Sequence, residues 1–331
     1  MPDLRLDGPI NILVLLGITL PEVSDTDLQK IRAAAPPGST INVVAKMRDA
    51  AAAAGDADVI LGLLPESLFN AAPRLRWFHA IASGVDMFLY PAMRDSQVVL
   101  TGEKGLVGGH LADTGFGLLL ALTRQIATSI RLGSTSWQAR EAMRVKEIEL
   151  EGLTMGIIGF GGTGRAMARR AVAFGMNVLA LDEWPVAPSD GVREVWSRER
   201  LPELLAASDV VAICCPLTTE TRGLFNDAAF DRMKRGAFLI NVTRGEIMDG
   251  YALVRALQDG RCAGAGLDVA PQEPLPVEHQ LWTLDNVVMT PHTAGASQYR
   301  AKRNLERFCE NLRRARMGEP LLGVVDKKLG Y

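Results

Sequence analysis

Short apolar runs of strand length alternate along this chain with longer stretches of helical period, the pattern of parallel sheets covered by helices. The predicted class is therefore α/β, with two doubly wound parallel-sheet domains. In the first third, residues 11–16, 41–44, 59–64, 75–81 and 98–100 read as strands, and segments 25–35 and 47–54 read as crossover helices. A long helical segment follows at 111–131. After a polar stretch around Trp137 the pattern restarts at Thr154, with strands expected at 155–159, 177–181, 210–215, 237–242, 264–269 and 287–289. These would complete a second sheet. A last helix, 297–317, comes after that sheet and could pack back on the first unit. The expected boundaries are residues 1–102 plus 297–331 for one discontinuous domain and 103–296 for the other.

The length of 331 residues agrees with two domains. With 36 Lys plus Arg against 38 Asp plus Glu, no net field favours nucleic acid or a membrane surface, and a small molecule is the expected partner. The 4 cysteines show no CxxC spacing, and Cys214 and Cys215 are adjacent. That excludes a disulfide framework and a zinc site from the expectation and fits a reducing cytoplasm. The apolar run at 10–20 is too short to span a bilayer and follows Asp3 and Asp7, so it reads as a core strand and not as a leader.

Candidate chemistry begins at the restart. Residues 155–164 read Met-Gly-Ile-Ile-Gly-Phe-Gly-Gly-Thr-Gly, which places Gly159, Gly161 and Gly164 in the GxGxxG spacing between a strand and a helix. Gly159 would allow the tight turn, Gly161 the close approach of a pyrophosphate, and Gly164 close helix packing. The helix N-terminus would offer N–H groups and its positive dipole end to the phosphates. Asp182 ends the next strand, where a carboxylate would accept the adenosine ribose hydroxyls and repel a 2′-phosphate. NAD is therefore expected over NADP.

Of the 4 histidines, His292 alone follows a strand of the second sheet, in Thr-Pro-His-Thr-Ala-Gly. Open α/β sheets bind ligands at that end, and hydride transfer to or from a carbonyl needs a proton donor or acceptor. His79, His110 and His279 are expected in packing or solvent. Glu273 is the candidate partner that would stabilise an imidazolium, although its spacing fits a surface-loop acid at least as well. Arg244, in Asn-Val-Thr-Arg-Gly, ends another strand. Its planar fork could hold a substrate carboxylate, or it could serve a structural ion pair.

Together these segments resemble the D-isomer-specific 2-hydroxyacid dehydrogenase family over most of the chain. The resemblance rests on Gly-Phe-Gly-Gly-Thr-Gly with Asp182, Cys-Cys-Pro-Leu-Thr-Thr-Glu-Thr at 214–221, Asn-Val-Thr-Arg-Gly at 241–245, Gly-Leu-Asp-Val at 266–269, Glu273 and Thr-Pro-His at 290–292, in the family's order. It implies a flavodoxin-like substrate domain and a Rossmann NAD-binding domain. It also implies that His292 is the acid/base, Glu273 its partner and Arg244 the substrate anchor. Gly159, Gly161, Gly162, Thr163, Gly164, Asp182, Cys215, Pro216, Thr221, Val242, Thr243, Asp268, His292 and Gly295 are then the cofactor residues, with Asp268 at the nicotinamide carboxamide. Ser83, Gly84 and Val85 look like the family's substrate loop, which grips a carboxylate through backbone N–H groups. The segment 111–124 is similar to the family's bridging helix, and a homodimer through the NAD-binding domain is implied.

The sequence departs from the family at Ala270, where an aromatic residue is frequent, and at Asp113-Thr114, where Glu-His is more frequent. These changes bear on pocket shape. Glu273 in place of a glutamine disfavours formate oxidation, and the lack of basic character around Ala80-Ile-Ala-Ser-Gly disfavours phosphoglycerate. The expected reaction is hydride transfer between NAD(H) and C2 of a small 2-hydroxy or 2-keto acid of glyoxylate or hydroxypyruvate type. The alternative is a nucleotide-sensing corepressor that uses the fold as a binding module.

Overall fold

The computed structural model describes residues 4–331. The chain divides into two compact units, Met1–Val107 with Ala296–Tyr331, and Gly108–Gly295.

The first unit holds β1 (Asn11–Leu15), β2 (Thr40–Val44), β3 (Val59–Gly62), β4 (Trp77–Ala80) and β5 (Val99–Thr101), all parallel, in the order β2-β1-β3-β4-β5. This is the flavodoxin-like doubly wound order. Strands β3 and β4 are buried along their whole length, which explains their continuous apolar runs. Helix Asp25–Ala34 starts on a capping box in which Ser24 and Asp27 satisfy each other's backbone N–H groups, and it buries Ile31 and Ala34. Helix Arg300–Met317 packs Leu305, Phe308, Leu312 and Ala315 into the same core as Ile12, Val14, Val59 and Trp77. Phe308 stacks on Trp77 with ring centroids 5.0 Å apart. Full burial of one such ring contributes about 1.5–3 kcal/mol, so this helix forms an integral face of the first core. Beyond it, Val324 forms an antiparallel bridge with Thr101, and Lys327 Nζ donates to the carbonyls of Met93, Ser96 and Val98 at 3.1, 2.6 and 3.1 Å.

The second unit holds β6 (Thr154–Ile158), β7 (Asn177–Leu181), β8 (Val195–Trp196), β9 (Val210–Ile213), β10 (Ala237–Asn241), β11 (Cys262–Leu267) and β12 (Val287–Met289). Their order is β12-β11-β10-β9-β6-β7-β8, a Rossmann sheet that reverses direction of winding between β6 and β9. The expected two-sheet α/β class is borne out.

Two expectations need correction. The second sheet has seven strands where six were expected, because the two-residue, half-exposed β8 pairs with Ala180 and Leu181 of β7. The helix expected over 111–131 is two helices, Gly108–Thr123 and Ile126–Leu132, separated where Gln125 turns left-handed at φ 54°. The apolar period runs through this break, so the pattern hides it.

Candidate active site

The glycine turn leaves β6 at the point where the strand order reverses, the usual ligand position of an open sheet. Gly159 has φ +92°, and a Cβ there would lie 2.6 Å from the backbone of Cys215 at the exit of β9. A Cβ on Gly164 would lie 2.1 Å from the Gly159 carbonyl oxygen, so helix Gly162–Ala173 can start this close to the strand only with glycine there. At Gly161 no heavy atom lies within 4 Å of where a Cβ would stand. The backbone therefore faces open space beside a helix N-terminus. These residues fit a dinucleotide pyrophosphate.

Asp182 follows β7, and its Oδ2 accepts the Phe160 N–H at 2.7 Å while Oδ1 accepts the Trp184 N–H at 3.2 Å. The acid expected at the ribose thus also clamps the glycine turn. At the end of β9, Thr221 Oγ1 accepts the Thr218 N–H at 2.8 Å and donates to the Pro216 carbonyl at 2.7 Å, folding the 216–221 loop. Burial pushes the neighbouring Cys215 thiol up to about 12, which keeps it protonated and rules it out as a thiolate nucleophile near neutral pH.

Strands β10, β11 and β12 are adjacent and in register, with Asn241 opposite Leu267 and Leu267 opposite Met289. Arg244, Asp268 and His292 all follow these residues closely, so three loops leave one end of three neighbouring strands. Two of these loops are folded by a buried polar side chain. Fully buried Asn241 accepts the Thr243 N–H at 3.0 Å through Oδ1 and donates Nδ2 to the Arg244 carbonyl at 2.9 Å. The Arg244 Nη1 donates to the Thr243 carbonyl at 2.9 Å. A Cβ on Gly245 would lie 1.7 Å from the Ala270 carbonyl oxygen, so the Arg244 turn lies tight against the loop that carries Glu273.

Asp268 is 1% exposed, and its carboxylate accepts the Thr290 hydroxyl at 2.7 Å and the Thr293 and Ala294 N–H groups at 2.9 Å each. Its own carbonyl accepts the His292 N–H at 2.7 Å. These bonds hold His292 at φ +53°, a left-handed conformation that only a minority of non-glycine residues adopt. The imidazole Nδ1 then lies 2.7 Å from Glu273 Oε2, while Glu273 Oε1 accepts the Ala270 N–H at 3.0 Å. With Nδ1 engaged by a carboxylate, Nε2 is the ring nitrogen left for exchange with a substrate. The side chains remain 45% and 39% exposed, so water screens this pair.

The other expected residues fall as follows. Ser83, Gly84 and Val85 follow β4 in the first unit, with Ser83 exposed and Val85 buried. Gly162 opens helix Gly162–Ala173, Thr163 is half-buried in its first turn, Val242 is buried after β10, and Gly295 ends the second unit. His79 is buried in β4, where desolvation pushes its pKa down to about 3, and His279 Nδ1 accepts the Leu281 N–H at 3.2 Å. His110 lies in helix Gly108–Thr123. Among the described residues, no cluster of His, Cys, Asp and Glu could hold a metal ion, and no helix is long and apolar enough to cross a membrane. The loop-folding roles of Asn241 and Asp268 were not anticipated, although a polar residue that ends an apolar strand is the signal for the first.

Residues 116–294 match the profile described as D-isomer specific 2-hydroxyacid dehydrogenase, NAD binding domain. The chain is 36% identical over 282 residues to the glyoxylate reductase of Korarchaeum cryptofilum, across 83% of this chain and 84% of that protein. It is 30% identical over 282 residues to the hydroxypyruvate reductase of Blautia hydrogenotrophica, across 82% of this chain and 86% of that protein. Among solved structures, it is similar to a D-isomer specific 2-hydroxyacid dehydrogenase from Xanthobacter autotrophicus Py2 in complex with NADPH and MES. The TM-score is 0.81 at 30% identity, covering 97% of this chain and 100% of that one.

Proposed function

Since the chain belongs to the D-isomer specific 2-hydroxyacid dehydrogenase family, we propose that it interconverts a small 2-keto acid of glyoxylate or hydroxypyruvate type and the corresponding D-2-hydroxy acid, with NAD(H) as the preferred coenzyme. The carrying observation is the 2.7 Å contact between His292 Nδ1 and Glu273 Oε2, presented at the same sheet end as Arg244. When bound, the nicotinamide supplies or accepts the hydride at C2.

The side chains do the rest. In the reducing direction His292 Nε2 gives a proton to the carbonyl oxygen, and Glu273 stabilises the imidazolium before transfer. In the oxidising direction the neutral ring takes the alcohol proton. Arg244 binds the substrate carboxylate and supports negative charge growing on the neighbouring oxygen. In the first unit, the N–H groups of Ser83, Gly84 and Val85 offer further donors to a carboxylate. Asp182 accepts the ribose hydroxyls with the lone pairs left by Phe160 and Trp184, and disfavours a 2′-phosphate. Asp268 shapes the His292 loop and retains acceptor capacity for the nicotinamide amide, while Pro216, Thr221 and Thr243 line the same side.

We also propose a homodimer through the NAD-binding unit and residence in a reducing cytoplasm. Ile130, Trp137 and Val145 are 75%, 79% and 84% exposed within one short stretch of that unit, an apolar surface that a second copy would cover. The test of function is a panel of 2-keto acids assayed with NADH and NADPH side by side. Turnover of glyoxylate or hydroxypyruvate with NADH is expected. No turnover of any 2-keto acid would remove the enzymatic reading and leave the binding module.

A further inference from the structure

The first unit contains a buried charged group that the proposed chemistry does not use. Glu103 is 1% exposed, and Asn304, which it touches, is fully buried. Glu103 Oε1 accepts Arg300 Nε–H at 3.0 Å and Asn304 Nδ2–H at 2.9 Å, while Oε2 accepts Arg300 Nε–H at 3.1 Å and Nη2–H at 2.5 Å. Removing a carboxylate and a guanidinium from water is costly, and such a pair is weak evidence for stability in itself. Its location suggests positional specificity instead. The Glu103 backbone N–H donates to the Ala82 carbonyl at 3.3 Å, and a Cβ on Gly102 would lie 3.1 Å from that same oxygen and 3.4 Å from Val85 Cγ1. On its other side, the Gly102 N–H donates to the Gly323 carbonyl at 3.0 Å. Residues 102–103 are therefore wedged between the loop 82–85 and the C-terminal segment. The fork of Arg300 and the amide of Asn304 hold that wedge from the first turns of helix Arg300–Met317.

We propose that Glu103 is a positioning residue for the substrate loop: its ion pair with Arg300 sets segment 102–103, which sets where the N–H groups of Ser83, Gly84 and Val85 stand. Its catalytic consequence rests on the proposed function, because only a carboxylate-binding loop makes the placement matter to turnover. A planar two-point contact fixes direction as well as distance, which a single lysine contact does not.

The test compares the parent with Glu103→Gln and the milder Arg300→Lys, using amide hydrogen exchange and steady-state kinetics with glyoxylate and NADH. In both variants the amides of Gly102 and Glu103, which donate to Gly323 and Ala82, should exchange at least about tenfold faster while those of β1 and β3 keep the parental rate. The KM for glyoxylate should rise about tenfold, with kcat and the KM for NADH within about twofold, since a displaced contact weakens the group that it holds. A folded Arg300→Lys protein with parental exchange at 102–103 overturns the proposal. So does a lowered Tm with parental exchange and parental glyoxylate KM, which marks an ion pair that only stabilises. If the parent turns over no 2-keto acid, the substrate reading fails separately, and the exchange rates still decide whether Glu103 positions the loop.

Discussion

The carboxylate of Asp182 accepts the backbone N–H of Phe160 at 2.7 Å, so the acid that ends β7 holds the glycine turn that ends β6. On the proposed reading, one side chain would both shape the glycine turn and choose the coenzyme. The parent should prefer NADH. Asp182→Ser should narrow that preference and also weaken NADH itself, raising its KM by about tenfold or more, because a hydrogen bond to a charged group contributes about 1.5–3 kcal/mol. Coenzyme titrations of parent and variant decide this. A variant that gains NADPH while keeping the parental NADH KM would show that the Phe160 contact is dispensable.

His292→Ala should leave NADH binding near the parental value and lower kcat by about 10²–10⁴. Because position 292 is left-handed at φ +53°, His292→Asn should be equally inactive yet more stable than His292→Ala, since asparagine tolerates that conformation. Thermal melts and single-turnover rates of the pair separate chemistry from folding.

Glu273→Gln keeps an oxygen for the Ala270 N–H but removes the anion opposite His292 Nδ1. The ring loses a charged anchor, so kcat for keto-acid reduction should fall about tenfold or more with the KM for NADH near the parental value. Steady-state kinetics measure this, and a parental kcat would count against the pair.

Asp268→Asn is nearly isosteric, but three donors converge on the native carboxylate from Thr290, Thr293 and Ala294, and an amide must turn an NH₂ toward at least one of them. The loop carrying His292 should loosen. We expect a lower Tm and a kcat reduced by about tenfold to a hundredfold, since a misplaced group far outweighs the lost bond. Parental kcat would mean that the loop keeps its fold without the acid.

Trp137→Arg should shift the proposed dimer toward monomer, because it places a charge in the middle of the exposed apolar stretch. Sedimentation velocity at several concentrations reads the outcome. A parent that is monomeric throughout would leave this surface without the proposed partner.

The apolar periodicity made both sheets legible, and the glycine spacing located the tight turn from β6 into its helix, because these features depend on neighbours close in sequence. What escaped was set by distance or by weak local signals. Strand β8 is two residues long and half exposed. Gln125 breaks a helix with neither glycine nor proline to mark it. Glu103, between Gly102 and Lys104, reads as a solvent-facing acid until Arg300 and Asn304 arrive from the far end of the chain. Asp268 was legible as part of a motif, but its hold on the His292 loop depends on two adjacent strands.

Helix Arg300–Met317 has a consequence for how the chain is made. The apolar face formed by Ile12, Val14, Val59 and Trp77 is complete only when Leu305, Phe308 and Leu312 reach it, after residues 108–295 have been synthesised. At about 5–20 residues per second that delay is roughly 10–40 s. The second unit, being contiguous, does not need that helix, whereas the first sheet waits with one side wet. A released chain cut just before Arg300 should therefore carry a protease-resistant second unit joined to a protease-sensitive, chaperone-binding first one, and restoring residues 300–331 should make both resistant.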